Sequence, residues 1–178
     1  MEIHIDINHD GISAALAIIA TNAKQLDAVL DDIGNTVSES VRLGFASGSD
    51  PYGTPWEPLS PASRAGQPLR DTGRLMNSIT HQVTGDSVTV GTNVVYALQH
   101  QFGFKVEAQK PTGGSARFGY TPKNSPYLRW FAGGRWHAAK GVTIPARPFL
   151  PSESRGLPAT WEAEILDVIS DYMIAGTA

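Results

Sequence analysis

A chain of 178 residues, 41% of them hydrophobic, holds enough apolar material for the core of one ordinary domain, which excludes disorder throughout. No apolar run approaches the roughly 20 residues that a membrane-spanning helix requires, and the absence of cysteine excludes disulfides and thiolate-held metals. The net charge of −3 and a pI near 5.9 also lack the strongly basic balance that marks many nucleic-acid-binding domains.

Met1 to Asp10 contain acids and no basic stretch, so no secretory signal is expected and synthesis in a reducing cytoplasm is. Residues 3–7 (Ile-His-Ile-Asp-Ile) alternate apolar and polar, the period of a half-buried strand. Asp10 can then cap a helix whose apolar residues fall at Ile12, Leu16, Ile19, Ala23, Leu26, Leu30, Ile33, Val37, Val41 and Phe45. Such a helix would be roughly 50 Å long, more than one domain of this size covers, so a second subunit is the expected cover for its overhang. Gly34 is the candidate for a bend.

Residues 47–70 read as loop. Asp50-Pro51-Tyr52-Gly53 suits a type I turn, and Pro55, Pro58, Pro61 and Pro68 keep the chain extended while Trp56 and Leu59 pin it to the core. Asp71 or Thr72 can cap a short helix reaching Ser78. Alternating residues on either side of Gly85-Asp86 predict a hairpin over 78–90 with a type II′ turn. Asn93 can cap a second short helix, 94–101, closed by Gly103 in the left-handed conformation. The run Ile144-Pro145-Ala146-Arg147-Pro148-Phe149-Leu150 must be extended, and its prolines restrict it to a sheet edge. After Pro158, Trp161, Ile165, Val168, Ile169 and Tyr172 share one face of a final helix.

The stretch 104–140 differs in composition, with glycines, prolines, basic residues and aromatics, and reads as an insertion in a single domain. It would be a long loop or β-arm with a short helix at 125–132. The fold expected is therefore α+β: an antiparallel sheet from residues 3–7, the 79–90 hairpin and 144–150, packed by the N-terminal and C-terminal helices.

Charge is segregated along this plan. Acids dominate residues 1–50 and 158–178, and bases dominate between them, a pattern that can steer like chains into head-to-tail contact or merely reflect solvated helix faces. His4, His9, His81, His100 and His137 are scattered without metal-ligand spacing, and no nucleophile or paired carboxylate accompanies them. Gly113-Gly114-Ser115-Ala116-Arg117 lacks the ending of a phosphate-binding loop, and Asp31 and Asp32 point about 100° apart on a helix. No catalytic residue, cofactor, metal or small-molecule substrate is expected. What remains is Arg117, Phe118, Tyr120, Tyr127, Arg129, Trp130, Arg135 and Trp136, a mixture suited to a protein interface and also to single-stranded nucleic acid.

Five segments in order carry a family resemblance. They are Asp50-Pro51-Tyr52-Gly53-Thr54-Pro55-Trp56, Leu69-Arg70-Asp71-Thr72-Gly73-Arg74-Leu75-Met76-Asn77-Ser78-Ile79, Val90-Gly91-Thr92-Asn93-Val94-Val95-Tyr96-Ala97, His100-Gln101-Phe102-Gly103, and the 144–150 run quoted above. Together they resemble the virion-morphogenesis, or tail-completion, proteins of Mu-like tailed phages. The resemblance implies a non-enzymatic virion protein made in the host cytoplasm and placed in the neck. It would complete the tail or join it to the head as a ring, hexameric like the tail tube, touching tail-tube and head-tail connector proteins and lying near genomic DNA. The competing expectations are a DNA-binding module that grips the genome end through the basic arm, and a hydrolase using His100 or His137.

Overall fold

The fold is described from a computed structural model, which defines residues 23–60, 65–108 and 127–175. In chain order the elements are α1 (Ala23–Ser47), α2 (Arg74–Asn77), β1 (Thr80–Thr84), β2 (Ser87–Gly91), α3 (Ala97–Phe102), β3 (Phe104–Glu107), β4 (Leu128–Ala132), β5 (Arg135–Ala139), β6 (Gly141–Ile144) and α4 (Ala159–Ala175). The chain is α+β, with a long helix before the strands and another after them. The expected strand at 3–7 and the first part of the long helix lie outside the described residues.

Helix α1 is the organising element. Val29, Ile33, Val37, Val41 and Phe45 form a row of four-residue steps, all buried. A four-residue step overshoots one helical turn by about 40°, so the row winds around the helix and meets different neighbours along its length. Both strands of the β1–β2 hairpin and helix α4 pack on α1. At its C-terminal end Phe45 sits edge-on to Trp56 and tilted against Phe149, with both pairs of ring centroids 5.4 Å apart. Polar contacts flank the apolar row: Tyr172 O–H donates to Asp32 Oδ2 (2.7 Å), Ser40 Oγ to Glu164 Oε2 (2.7 Å), and Arg42 Nη2 to the Ile79 carbonyl (2.8 Å).

The helix runs unbroken through Gly34. That glycine lies where the hairpin comes closest: a Cβ there would overlap the His81 ring and approach Val88 Cγ2 to 2.9 Å. His81 is held over it by Nε2, 2.8 Å from Asp31 Oδ1 one turn back.

The β1–β2 hairpin pairs Thr80↔Gly91 through Thr84↔Ser87 around Gly85, whose φ of +61° with a negative φ at Asp86 matches the expected turn. Ahead of it, neither Asp71 nor Thr72 is the N-cap of α2: that position is Gly73 (φ +74°), without a side-chain cap bond, although Thr72 Oγ1 accepts the Arg74 N–H (3.3 Å). The type I turn is present, closed by Gly53 N–H to Asp50 O (3.0 Å), while Asp50 Oδ1 accepts from both Tyr52 and Thr54. Trp56 is in the core; Leu59 is only half-buried. Helix α4 buries Trp161, Ile165 and Ile169, with Val168 and Tyr172 beside them, as the spacing predicts.

The described strands form three separate two-stranded antiparallel ladders, β1–β2, β3–β6 and β4–β5, rather than one sheet. The decisive departure is at 144–150. Only Ile144 belongs to a strand; Pro145 and Pro148 offer no N–H, so a ladder cannot continue. Side chains replace it. Gln101, buried in α3, accepts from the Phe149 and Leu150 N–H groups (3.0 and 3.2 Å) and donates to the Leu150 carbonyl (2.8 Å). The Arg147 N–H donates to His100 O (2.7 Å) and Trp56 Nε1 to Pro148 O (2.7 Å). The buried Arg147 guanidinium reaches back to the Glu57 and Pro58 carbonyls (2.8 and 3.1 Å). Burial lowers the Arg147 pKa, partly opposed by the charge of Glu57, yet guanidinium remains cationic in proteins.

Helix α3 begins later than expected, at Ala97, and Thr92 rather than Asn93 receives the preceding N–H, from Val94 (3.2 Å). Gly103 has the expected positive φ (+70°), but its ψ of 165° sends the chain straight into β3 instead of into a helix cap. A side chain there would meet the 144–146 backbone, with a Cβ only 2.7 Å from the Ala146 nitrogen.

Two outcomes follow for stability. Gly34→Ala should destabilise by about 1–3 kcal/mol in urea denaturation through overpacking against His81 and Val88, opposite in sign to the gain that helix propensity alone predicts. Gln101→Leu should cost roughly 2–5 kcal/mol by leaving three buried backbone groups without partners, although it adds apolar surface.

Candidate functional site

The candidate residues within reach of description, Tyr127, Arg129, Trp130, Arg135 and Trp136, all come together on or beside one hairpin; Arg117, Phe118 and Tyr120 lie outside the described residues. The expected short helix at 125–132 is instead strand β4. Alternation of burial along Leu128–Ala132 and two adjacent glycines explain it: Gly133 (φ +57°) and Gly134 (φ +76°) supply the paired positive φ values of a type I′ turn.

The hairpin stands on a root ladder. β3 pairs with β6 from Phe104↔Ile144 to Glu107↔Gly141, and Ala108 N–H to Lys140 O (2.8 Å) extends it. None of the described residues within 104–144 belongs to the main core cluster, so they form an arm attached through Gly103 and Ile144.

Period-two alternation divides the β4–β5 residues between two faces. Leu128, Trp130 and His137 turn toward the body, with Trp130 and His137 stacked at 5.5 Å and 17°. His137 Nε2 lies 3.1 Å from its own hairpin's Ala132 carbonyl. Arg129, Phe131 and Trp136 turn outward. Phe131 and Trp136 are directly paired, 5.6 Å between centroids, and are 60% and 68% exposed. The candidate set thus splits: Trp130 faces inward, Arg129 and Trp136 outward, and the exposed Arg135 sits beside the turn opposite Ala132. Phe131 was missed, although counting outward from Gly133-Gly134 pairs it with Trp136.

Between the inner face and the body lies a cleft of about 900 Å3, lined on the arm by Phe104, Val106 and Trp130 and on the body by Tyr96, His100 and Arg147. No group of three His, Asp or Glu side chains suited to a metal occurs among the described residues. His100 packs edge-on to Tyr96, and its Nδ1 is buried without a hydrogen-bond partner. Burial and then the neighbouring Arg147 charge lower its pKa from 6.5, favouring the neutral ring.

That depression has a sign. The unfolded chain binds the His100 proton more readily, so stability from this group is complete above pH 6.5 and falls as pH drops toward the lower folded value. Denaturation midpoints measured from pH 7.5 down to 5 should fall more steeply in the native chain than in His100→Phe; parallel curves would contradict this.

The comparisons with known proteins bear on what such an arm and cleft are for. The family model described as the phage virion morphogenesis family matches residues 7–173. The chain is also 33% identical over 171 residues to Mu-like prophage FluMu G protein 2 of Haemophilus influenzae, covering 96% of this chain and 95% of that one. No solved structure matches. The family match spans all but the last two of the described residues, and the chain belongs to the phage virion morphogenesis family.

Proposed function

We propose that this virion protein acts without catalysis in the neck of a Mu-like tailed phage, completing the tail or joining it to the head as one subunit of an oligomeric ring. Support comes from where the residues of the resembling segments go. Trp56, Gln101, Arg147 and Phe149 are buried and bind backbone or one another, which is the work of a scaffold rather than of a reaction centre. Outward-facing side chains include Val95 and Phe102 of those segments and, on the arm, Phe131 and Trp136 beside Arg129, the chemistry of an assembly contact.

In this reading copies associate head to tail into a closed ring, hexameric to match the tail tube, with tail-tube and head-tail connector proteins on its two sides. A second reading draws on the exposed Arg129 and Arg135 beside Trp136: the arm grips the end of the genome as it passes through the neck.

Light scattering on the size-fractionated protein, followed by electron micrographs with tail tubes or connectors added, tests the first reading. Rings, alone or seated on the tube end, are the expected result; a chain that remains monomeric in the presence of both structures contradicts it. The second reading requires DNA binding that weakens steeply with salt and is lost when Arg129 and Arg135 become Ala.

A further inference from the structure

Helix α4 has a second face. Beside the buried Trp161, Ile165 and Ile169, the side chains of Ala163, Leu166, Ser170 and Met173 recur at three- and four-residue steps and are exposed, Leu166 at 45% and Met173 at 41%. Glu164, Asp167 and Asp171 run along one side of this strip, and α4 contains no basic residue. A surface helix with one buried apolar face does not need another, and this one has an acidic edge.

The arm's outer face is its complement. Phe131 and Trp136 form an exposed aromatic pair, with Arg129 on the same face two residues along β4. Charge separates the two regions completely: residues 108–140 contain Lys110, Arg117, Lys123, Arg129, Arg135 and Lys140 and no acid, whereas residues 156–178 contain Glu162, Glu164, Asp167 and Asp171 and no base. Both faces are exposed in the same molecule, so each remains available to another copy.

We infer that the outer face of the β4–β5 arm docks on the outer face of α4 in the neighbouring copy, with Phe131 and Trp136 against Leu166 and Met173 and Arg129 between Asp167 and Asp171. The contact uses two different surfaces, so it repeats from copy to copy around a ring without using itself up. Apolar area gives it affinity, and the opposed charges give it direction and register. The inference rests on the ring reading above and specifies which surfaces close that ring.

The chain has no cysteine, so engineered thiols report only on the positions where they are placed. A full-length chain bearing Trp136→Cys and Leu166→Cys, oxidised and run on a non-reducing gel, should give a ladder of linked multimers. A control pairing Leu166→Cys with Asp86→Cys, at the turn of the first hairpin, should not. Reversing the outer-face charge of the arm (Arg129→Glu) should reduce linkage at least tenfold. Adding Asp167→Arg and Asp171→Arg to that variant should restore it.

Rings seen by light scattering without linkage at these positions overturn this contact and leave the ring reading standing. A monomer under every condition overturns both. Closure of the disulfide within one chain, or linkage as efficient in the control, overturns the contact. So does an arm reversal that abolishes DNA binding while ring size is unchanged, since that assigns the face to nucleic acid.

Discussion

Residues 145–150 cross the molecule with two prolines and no partner strand, and the rest of the fold depends on how their backbone groups are satisfied. Gln101 substitutes for the missing strand by taking three of those groups onto one side-chain amide. Arg147 ties the stretch to the 57–58 loop, and the Trp56 indole ties that loop to Pro148. Unpaired buried backbone would cost about 1–3 kcal/mol per group, so these bonds are conditions of burial more than added attraction. With them made, Phe149 and Leu150 can enter the core beside Phe45, and the long helix, the proline-rich loop and the final helix share one apolar interior.

The same stretch fixes the arm. Strand β6 ends at Ile144, immediately before the clamp, and Gly103 brings β3 against the 144–146 backbone. Both strands of the root ladder therefore leave the body from points already held by buried contacts. A projecting hairpin is useful in assembly only if its direction is set before a partner arrives, because ordering it at that moment would reduce affinity. The body side of the cleft under the arm is lined by Arg147 and His100, which hold the 145–150 stretch, and Phe131 reaches its rim, while Trp136 and Arg129 lie outside it.

Much of this was legible in the sequence where a signal is local. The Gly85-Asp86 turn, the apolar face of the last helix and the three- and four-residue steps of the first long helix all rest on interactions within a few residues. The reading failed where a distant partner decides. Gly34 was read only for helix shape, because its neighbour, His81, is 47 positions away. Residues 144–150 looked like a sheet edge because extended backbone with prolines suggests one; nothing in the run reveals that a glutamine from another segment will pair with it. Within the arm, aromatic and basic composition drew attention to Trp130 and Trp136 together, but only the register around Gly133-Gly134 shows that they occupy opposite faces. The second face of α4 emerges only in the structure, where Trp161, Ile165 and Ile169 are in the core and Leu166 and Met173 remain exposed.

The central claim is that this scaffold builds a ring in the neck of a phage particle, and cryo-electron microscopy of the purified particle tests it most directly. The account predicts a closed ring of this fold at the head-proximal end of the tail, with each arm reaching the next subunit. Intact particles whose neck density accommodates no copy of the fold would contradict it.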